Sequence, residues 1–202
     1  PMSDVSAIIL AAGLSRRMGE QNKLLLPVNG VPMIRHMVEI YASISTRIIV
    51  VTGYEAGKIE TALFGTNVMF AFNPDFTDGQ ASSVACGLRA SGSEGPVLMG
   101  LGDQPRLELD DLHTLLEAHM EADPARISIP VAHGKRGNPI VIPAHLREAL
   151  LADSRSPGCK TFTRAHPQHV QFHELKAVGF YTDVDNLKEY RAISAEQFEE
   201  TR

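Results

Sequence analysis

Short, unbroken apolar runs alternate with stretches of helical period over most of this chain, and that alternation restricts the fold more than any other feature. Residues 7–10, Arg47–Thr52, 68–73, Val97–Leu101 and 127–131 read as strands. They are continuous apolar runs, as expected of strands covered on both faces. Between them, residues 33–43, 56–63, 82–90 and 109–122 carry helical spacing. In the last of these, Leu109, Leu112, Leu115, Leu116 and His119 share one face. This order predicts an α/β, Rossmann-like fold, a mostly parallel sheet with helices on both faces.

The pattern changes after residue 131. Residues 132–139 form a turn-rich, basic connection, and Ile140–Ile142 then reads as a strand. Residues 143–152 and 160–166 look helical, and Val170–Glu174 and 180–184 look like strands. No linker, repeat or low-complexity stretch divides the 202 residues, so one domain is expected over 1–202. Its nucleotide-binding part would span about 5–131, and the part that completes the sheet and binds an acceptor about 132–202.

The net charge of −5 argues against a nucleic-acid or anionic-membrane partner. Two cysteines, Cys86 and Cys159, give no disulfide framework and no C-x-x-C motif, which points to reduced thiols and a cytoplasmic setting. No signal peptide is visible, and no apolar stretch reaches the ~20 residues that span a bilayer.

The first strand empties into Ala11-Ala12-Gly13-Leu14-Ser15-Arg16-Arg17-Met18-Gly19, and Lys23 follows. Small residues such as Ala11, Ala12, Gly13 and Ser15 let the backbone approach a ligand closely, so that its N–H groups can cradle phosphate oxygens. Arg16, Arg17 and Lys23 add cationic donors for triphosphate charge. Neither G-x-G-x-x-G nor G-x-x-x-x-G-K-[ST] is present, which argues against a dinucleotide fingerprint and an ordinary P-loop.

Gly102-Asp103-Gln104-Pro105 follows the strand Val97–Leu101. A carboxylate just past the carboxyl end of a parallel strand sits where such sheets bind ligands, and Asp suits Mg²⁺ bridging a triphosphate. Asp183-Val184-Asp185-Asn186 offers two more carboxylates, with Asp185 the stronger metal candidate and Asp183 second; Asp185 as an N-cap of a helix over 186–191 is the structural alternative. The segment 73–84 holds Gly79, which permits close backbone approach, and Ser83, whose hydroxyl can exchange hydrogen bonds with a base edge. The histidines show no metal-like clustering.

Together these motifs resemble the molybdenum cofactor nucleotidyltransferases, the MobA-like NTP transferases. Leu10-Ala11-Ala12-Gly13, Ser15, Arg17-Met18-Gly19 and Lys23 match the L-A-A-G-x-S-x-R-M-G…K pattern of that family. N-P-D-F…G-x-x-x-S-V, G-D-Q-P, G-N-P-I-V-I and D-V-D-N follow in the order seen in molybdenum cofactor cytidylyltransferases, from Ile8 to about Tyr190. The resemblance implies the nucleotide-diphospho-sugar transferase type of fold, with CMP transferred from CTP onto the phosphate of molybdopterin and Mg²⁺ as cofactor. By it, Leu10, Ala11, Ala12, Gly13, Ser15, Gly79 and Ser83 bind the nucleotide, and Ala11, Ala12, Gly79 and Ser83 surround cytosine. Arg17 and Lys23 hold phosphates, Asp103 and Asp185 hold the metal, and Arg17, Lys23 and Asp103 are the catalytic group. Arg136 and Asn138 fall on the acceptor side. Relatives commonly carry G-H-P where this chain has Gly137-Asn138-Pro139, so a titratable ring is replaced by an amide. The methyls of Ala11 and Ala12 would narrow the loop relative to the Gly-Gly of the guanylyl branch and favour a pyrimidine.

An acceptor phosphate is already an anion and needs no dedicated base to attack the α-phosphorus, which suits a chain without a convincing Ser or His triad. The competing readings are a GTP-using enzyme, a sugar 1-phosphate acceptor, and a non-catalytic protein that delivers finished cofactor to a molybdenum hydroxylase.

Overall fold

Parallel strands need crossovers, and the helical stretches between the apolar runs supply them. The computed structural model describes residues 4–19, 21–152 and 159–200; the side chains of Arg16 and of residues 197–200 lie outside that description. In chain order it shows β1 (Ser6–Ala11), a hairpin of β2 (Pro27–Val28) and β3 (Val31–Pro32), α1 (Met33–Ala42), β4 (Arg47–Thr52) and α2 (Ala56–Ala62). β5 (Met69–Phe72), α3 (Gln80–Ala90), β6 (Val97–Leu101), α4 (Leu109–Glu121), β7 (Ile127–Ala132) and β8 (Lys135–Arg136) follow. The chain then forms β9 (Ile140–Ile142), α5 (Arg147–Ala152), α6 (Cys159–Ala165), β10 (Val170–Glu174) and α7 (Leu187–Glu200).

The main sheet runs β10-β7-β9-β6-β1-β4-β5, with β8 paired to β7. β10–β7, β6–β1, β1–β4 and β4–β5 are parallel pairs; β9 is antiparallel to both of its neighbours. The chain leaves β1 toward β4 and β5, then returns to lay β6 on the other side of β1. That reversal is the topological switch point at which open α/β sheets form a crevice.

Strand parity divides the core. Ala7, Ile9 and Ala11 of β1 point into a cluster with Met33, Ile34, Met37 and Tyr41 of α1 and Leu112, Leu115 and Leu116 of α4. Ile8 points the other way, to Ile49, Val51, Val97 and Ile140, covered by Val84 and Leu88 of α3 and Phe162 of α6. Full burial of each such side chain stabilises by about 1.5–3 kcal/mol. Gly100 has no side chain because Tyr41 is there: a Cβ would meet the Tyr41 hydroxyl at 2.0 Å.

Three differences from the sequence reading have physical causes. Residues 180–184 are not a strand: Val178–Phe180 is a 3-10 turn and no ladder follows it. The segment lies past the end of β6, where the Val184 N–H meets the Asp103 carbonyl, and both edges of β6 are already taken by β1 and β9. Residues 68–73 shorten to β5, and β5 is not covered on both faces: Met69 and Phe72 are 50% and 56% exposed, since it ends the sheet. The β2–β3 hairpin had a legible signal in Asn29-Gly30, whose φ values of 51° and 82° are those of a two-residue hairpin turn.

Candidate active site

A cavity of about 760 Å³ opens at the carboxyl ends of β1 and β6, where the loops after these strands part. Leu10, Ala11, Ala12, Gly13, Ser15, Arg17, Lys23, Gly79, Ser83, Asp103, Asp185 and Asn138 all line it, and so does Asp183. Arg136 does not; it lines a smaller chamber beside it.

The first loop is anchored where it leaves β1. The Gly102 N–H donates to the Leu10 carbonyl (3.0 Å) and the Tyr54 N–H to the Ala12 carbonyl (3.2 Å). Ser15 takes the left-handed φ of 51° and opens the turn Arg16–Met18, closed by the Met18 N–H on the Ser15 carbonyl (3.0 Å). Met18 is buried and pins the loop, while Arg17 stays exposed at the cavity. Asn22 accepts from the Leu24 N–H (3.1 Å), which sets the turn that carries Lys23. Ala11 and Ala12 are only 2% and 3% exposed and pack one into each core. They therefore offer the cavity little beyond their backbone, and the steric narrowing expected of their methyls is small.

Gly79 adopts φ +100°, ψ 178°, a combination open in practice only to glycine, and starts α3. Ser83 in the first turns of α3 is buried. Its oxygen accepts from the Asn73 side-chain amide (3.0 Å), which also reaches Ser82 (2.8 Å), so the Ser83 proton remains for the cavity. Asn73 and Ser82 are positioning groups that sequence reading passed over within the N-P-D-F…S-V motif.

The carboxylates lie against Lys23. Lys23 Nζ stands 2.8 Å from Asp103 and 3.8 Å from Asp185. Asp103 and Asp185 come together because the Val184 N–H donates to the Asp103 carbonyl (2.9 Å). Asp185 is not the helix cap. Asn186 takes that role, accepting from the Glu189 N–H (2.9 Å), while Glu189 accepts from the Asp185 N–H (2.8 Å). The Asp185 carboxylate is thereby left to the cavity. Asp183 also lines the cavity, and its carboxyl is pushed up to about 6 by burial and by the negative charges of Asp103 and Asp185, against the pull of Lys135 and Lys23. Its place in this acidic wall is more central than the sequence suggested.

Gln104 ties the wall together. It is wholly buried, and its amide donates to the carbonyls of Phe180 (3.0 Å) and Gly179 (3.4 Å). The Phe180 carbonyl also accepts from the Asn138 N–H (2.9 Å). Gly179 and Gly137 admit this contact: a Cβ on either would meet a backbone atom at 2.7 Å. One carbonyl thus gathers the three segments that bear Asp103, Asn138 and Asp183.

A Gly-punctuated loop that carries Arg17, with Lys23 set directly against the carboxylates of one crevice, at the switch point of a mostly parallel sheet, defines a nucleotidyltransferase of the nucleotide-diphospho-sugar transferase fold. A nucleotidyl transferase from Methanothermobacter superposes with a TM-score of 0.81 at 26% identity, covering 99% of this chain and 100% of that one. The chain belongs to the MobA-like NTP transferase domain family, whose model matches residues 7–170. It is 31% identical to the molybdenum cofactor cytidylyltransferase of Escherichia coli, over 70% of this chain and 71% of that protein. It is also 28% identical to nicotine blue oxidoreductase of Paenarthrobacter nicotinovorans, over 94% of this chain and 96% of that protein. Among the described residues no helix is long and apolar enough to cross a membrane.

Proposed function

We propose that this protein transfers CMP from CTP to the phosphate of a molybdopterin-type acceptor and releases pyrophosphate, in one domain whose residues 5–131 hold the nucleotide and 132–202 the acceptor. The observation that carries the reading is the Lys23 ammonium between Asp103 and Asp185 at the switch point of the sheet. It fits a site where phosphate charge, cations and carboxylates balance one another.

The same observation tests the fit of a divalent cation. A positive group already stands between two carboxylates, and a third carboxyl, Asp183, raised first by burial and then by Asp103 and Asp185, lines the same cavity. Among the described residues no group of three or more His, Cys, Asp or Glu could hold a metal unaided. Mg²⁺ suits such a place, since it takes one or two carboxylates and completes its shell from phosphates and water. Asp103 and Asp185 would hold it, and when bound it would supply charge neutralisation to the triphosphate.

The chain's own groups do the rest. The N–H groups of residues 11–15 with Arg17 and Lys23 orient the phosphates, and Gly79 and Ser83 contact the base. An acceptor phosphate oxygen, placed by residues near Asn138, attacks the α-phosphorus. The new O–P bond forms as the bond to the β-phosphate oxygen breaks, and the pyrophosphate takes the electron pair. Catalysis is then positioning plus electrostatic stabilisation. Free Cys86 and Cys159 suit a reducing, cytoplasmic setting. Calorimetric titration with CTP, GTP, ATP and UTP in the presence of Mg²⁺ tests the nucleotide assignment. CTP is expected to bind at least tenfold more tightly than GTP, and the preference should weaken in Ser83→Ala. Tighter binding of GTP would move the chain to a guanylyl reading.

A further inference from the structure

A chamber of about 160 Å³ adjoins the main cavity and shares Asn138, Ile140, Cys159, Lys160 and Asp183 with it. Its floor and side are apolar or aromatic, from Ile129, Phe180 and Tyr181, and its rim carries Lys135, Arg136 and Lys160. Arg136 is the unusual member. Its guanidinium lies 5.2 Å from the centroid of the Phe172 ring and donates to the Thr163 hydroxyl (3.0 Å).

Both of those partners are neutral. Among the described residues no carboxylate lies within the 4.0 Å of an ion pair with Arg136, although Arg35, Arg106 and Arg126 each have one. The charges that Arg136 feels are of its own sign: burial and Arg164 both lower its pKa. A partly buried guanidinium ordinarily sits beside an anion, because desolvation without one is costly. Here a ring and a hydroxyl hold it in place, and most of its five N–H donors have no protein partner among the described residues. Lys135, beside it, is drawn to the Tyr181 carbonyl (2.9 Å), so its charge is also fixed at the chamber wall.

We propose that this chamber receives a second oxyanion of the acceptor, distinct from the phosphate that attacks the nucleotide, and that Arg136 is the residue that selects for it. The inference rests on the nucleotidyl-transfer reading, since the group enters from the main cavity along the wall formed by Asn138 and Asp183. It adds that the acceptor class is an organic phosphate bearing a further phosphate, carboxylate or comparable oxyanion. An arginine held flat by an aromatic ring suits bidentate recognition of such a group.

The test uses the full chain saturated with Mg²⁺ and α,β-methylene-CTP. Three matched probes are titrated calorimetrically: glucose 1-phosphate, glucose 1,6-bisphosphate and glucuronic acid 1-phosphate. The two doubly anionic probes are expected to bind at least tenfold more tightly than the monophosphate, and their ratio tells phosphate from carboxylate. Arg136→Met should remove the discrimination, leaving affinity for the monophosphate and for the CTP analogue within about twofold. Arg136→Lys, which keeps the charge without the fork, should retain part of it and guards against a folding defect. Absence of discrimination in the wild type, or its survival in Arg136→Met, overturns the proposal alone. If the CTP analogue does not bind the wild type at all, the functional reading fails, and this inference fails with it.

Discussion

At the scale of single residues, the site turns on charges that are close but incompletely matched. Lys23 answers two carboxylates while Asp183 stands beside them with its carboxyl raised to about 6. Lys23→Ala should lower kcat/KM roughly ten- to a hundredfold, because a charge-assisted contact to phosphate is worth on the order of 1.5–3 kcal/mol. Arg17→Ala should cost less, since Arg17 is exposed to solvent. Wild-type turnover of Lys23→Ala in a steady-state assay would dispose of the phosphate-cradle reading. Asp183 makes a separate prediction about stability. Its native carboxyl titrates higher than an unfolded one, so the folded state gives up its proton less readily. Stability that is fully present below about pH 4 is then lost as pH rises through about 6. Asp183→Asn should raise the melting temperature at pH 7.5 and leave it unchanged at pH 4. A variant no more stable than wild type at pH 7.5 would show that the carboxyl is not raised.

At the scale of elements, the site is assembled by loops that touch only in three dimensions. Gln104 illustrates this best: it is wholly buried and joins the loop after β6 to residues 179–180, more than seventy positions away. Gln104→Leu should reduce kcat by at least tenfold while changing the affinity for CTP by less than threefold, because it loosens the wall that carries Asp103, Asp183 and Asn138 and leaves the nucleotide loop alone. Equal losses in both, measured by calorimetry beside steady-state kinetics, would indicate general destabilisation instead. The strand and helix order was legible in the sequence, because period and punctuation record local structure. The Gln104 contact was not, since it depends on which segments the sheet brings together. Residues 180–184 show the same limit from the other side. Their apolar, β-prone composition reads as a strand, yet they lie past the end of β6, whose two edges are already taken. Asp185 likewise read as a possible cap until Asn186 was seen to occupy that role.

At the scale of the whole molecule, the sheet places a switch point between β1 and β6 and hangs both halves of the site from it. The residues of the family motifs were recognisable in the sequence because each sits at a strand end or helix start that a local pattern marks. What the motifs did not record was the second chamber, or that Arg136, placed by them only on the acceptor side, has no ion-paired carboxylate among the described residues. The fold alone does not decide the reaction, since one fold can carry unrelated chemistries on grafted sites. One relative, matched over 94% of this chain, bears an oxidoreductase name, whereas another, matched over 70%, bears a cytidylyltransferase name. The most direct test follows the label of α-³²P-CTP incubated with molybdopterin, Mg²⁺ and the protein. The account predicts that the α-phosphate passes to the acceptor with one pyrophosphate released per transfer, and that Asp103→Ala abolishes both. Label that stays in CTP, under conditions where the wild type turns over a redox substrate without consuming nucleotide, would contradict it.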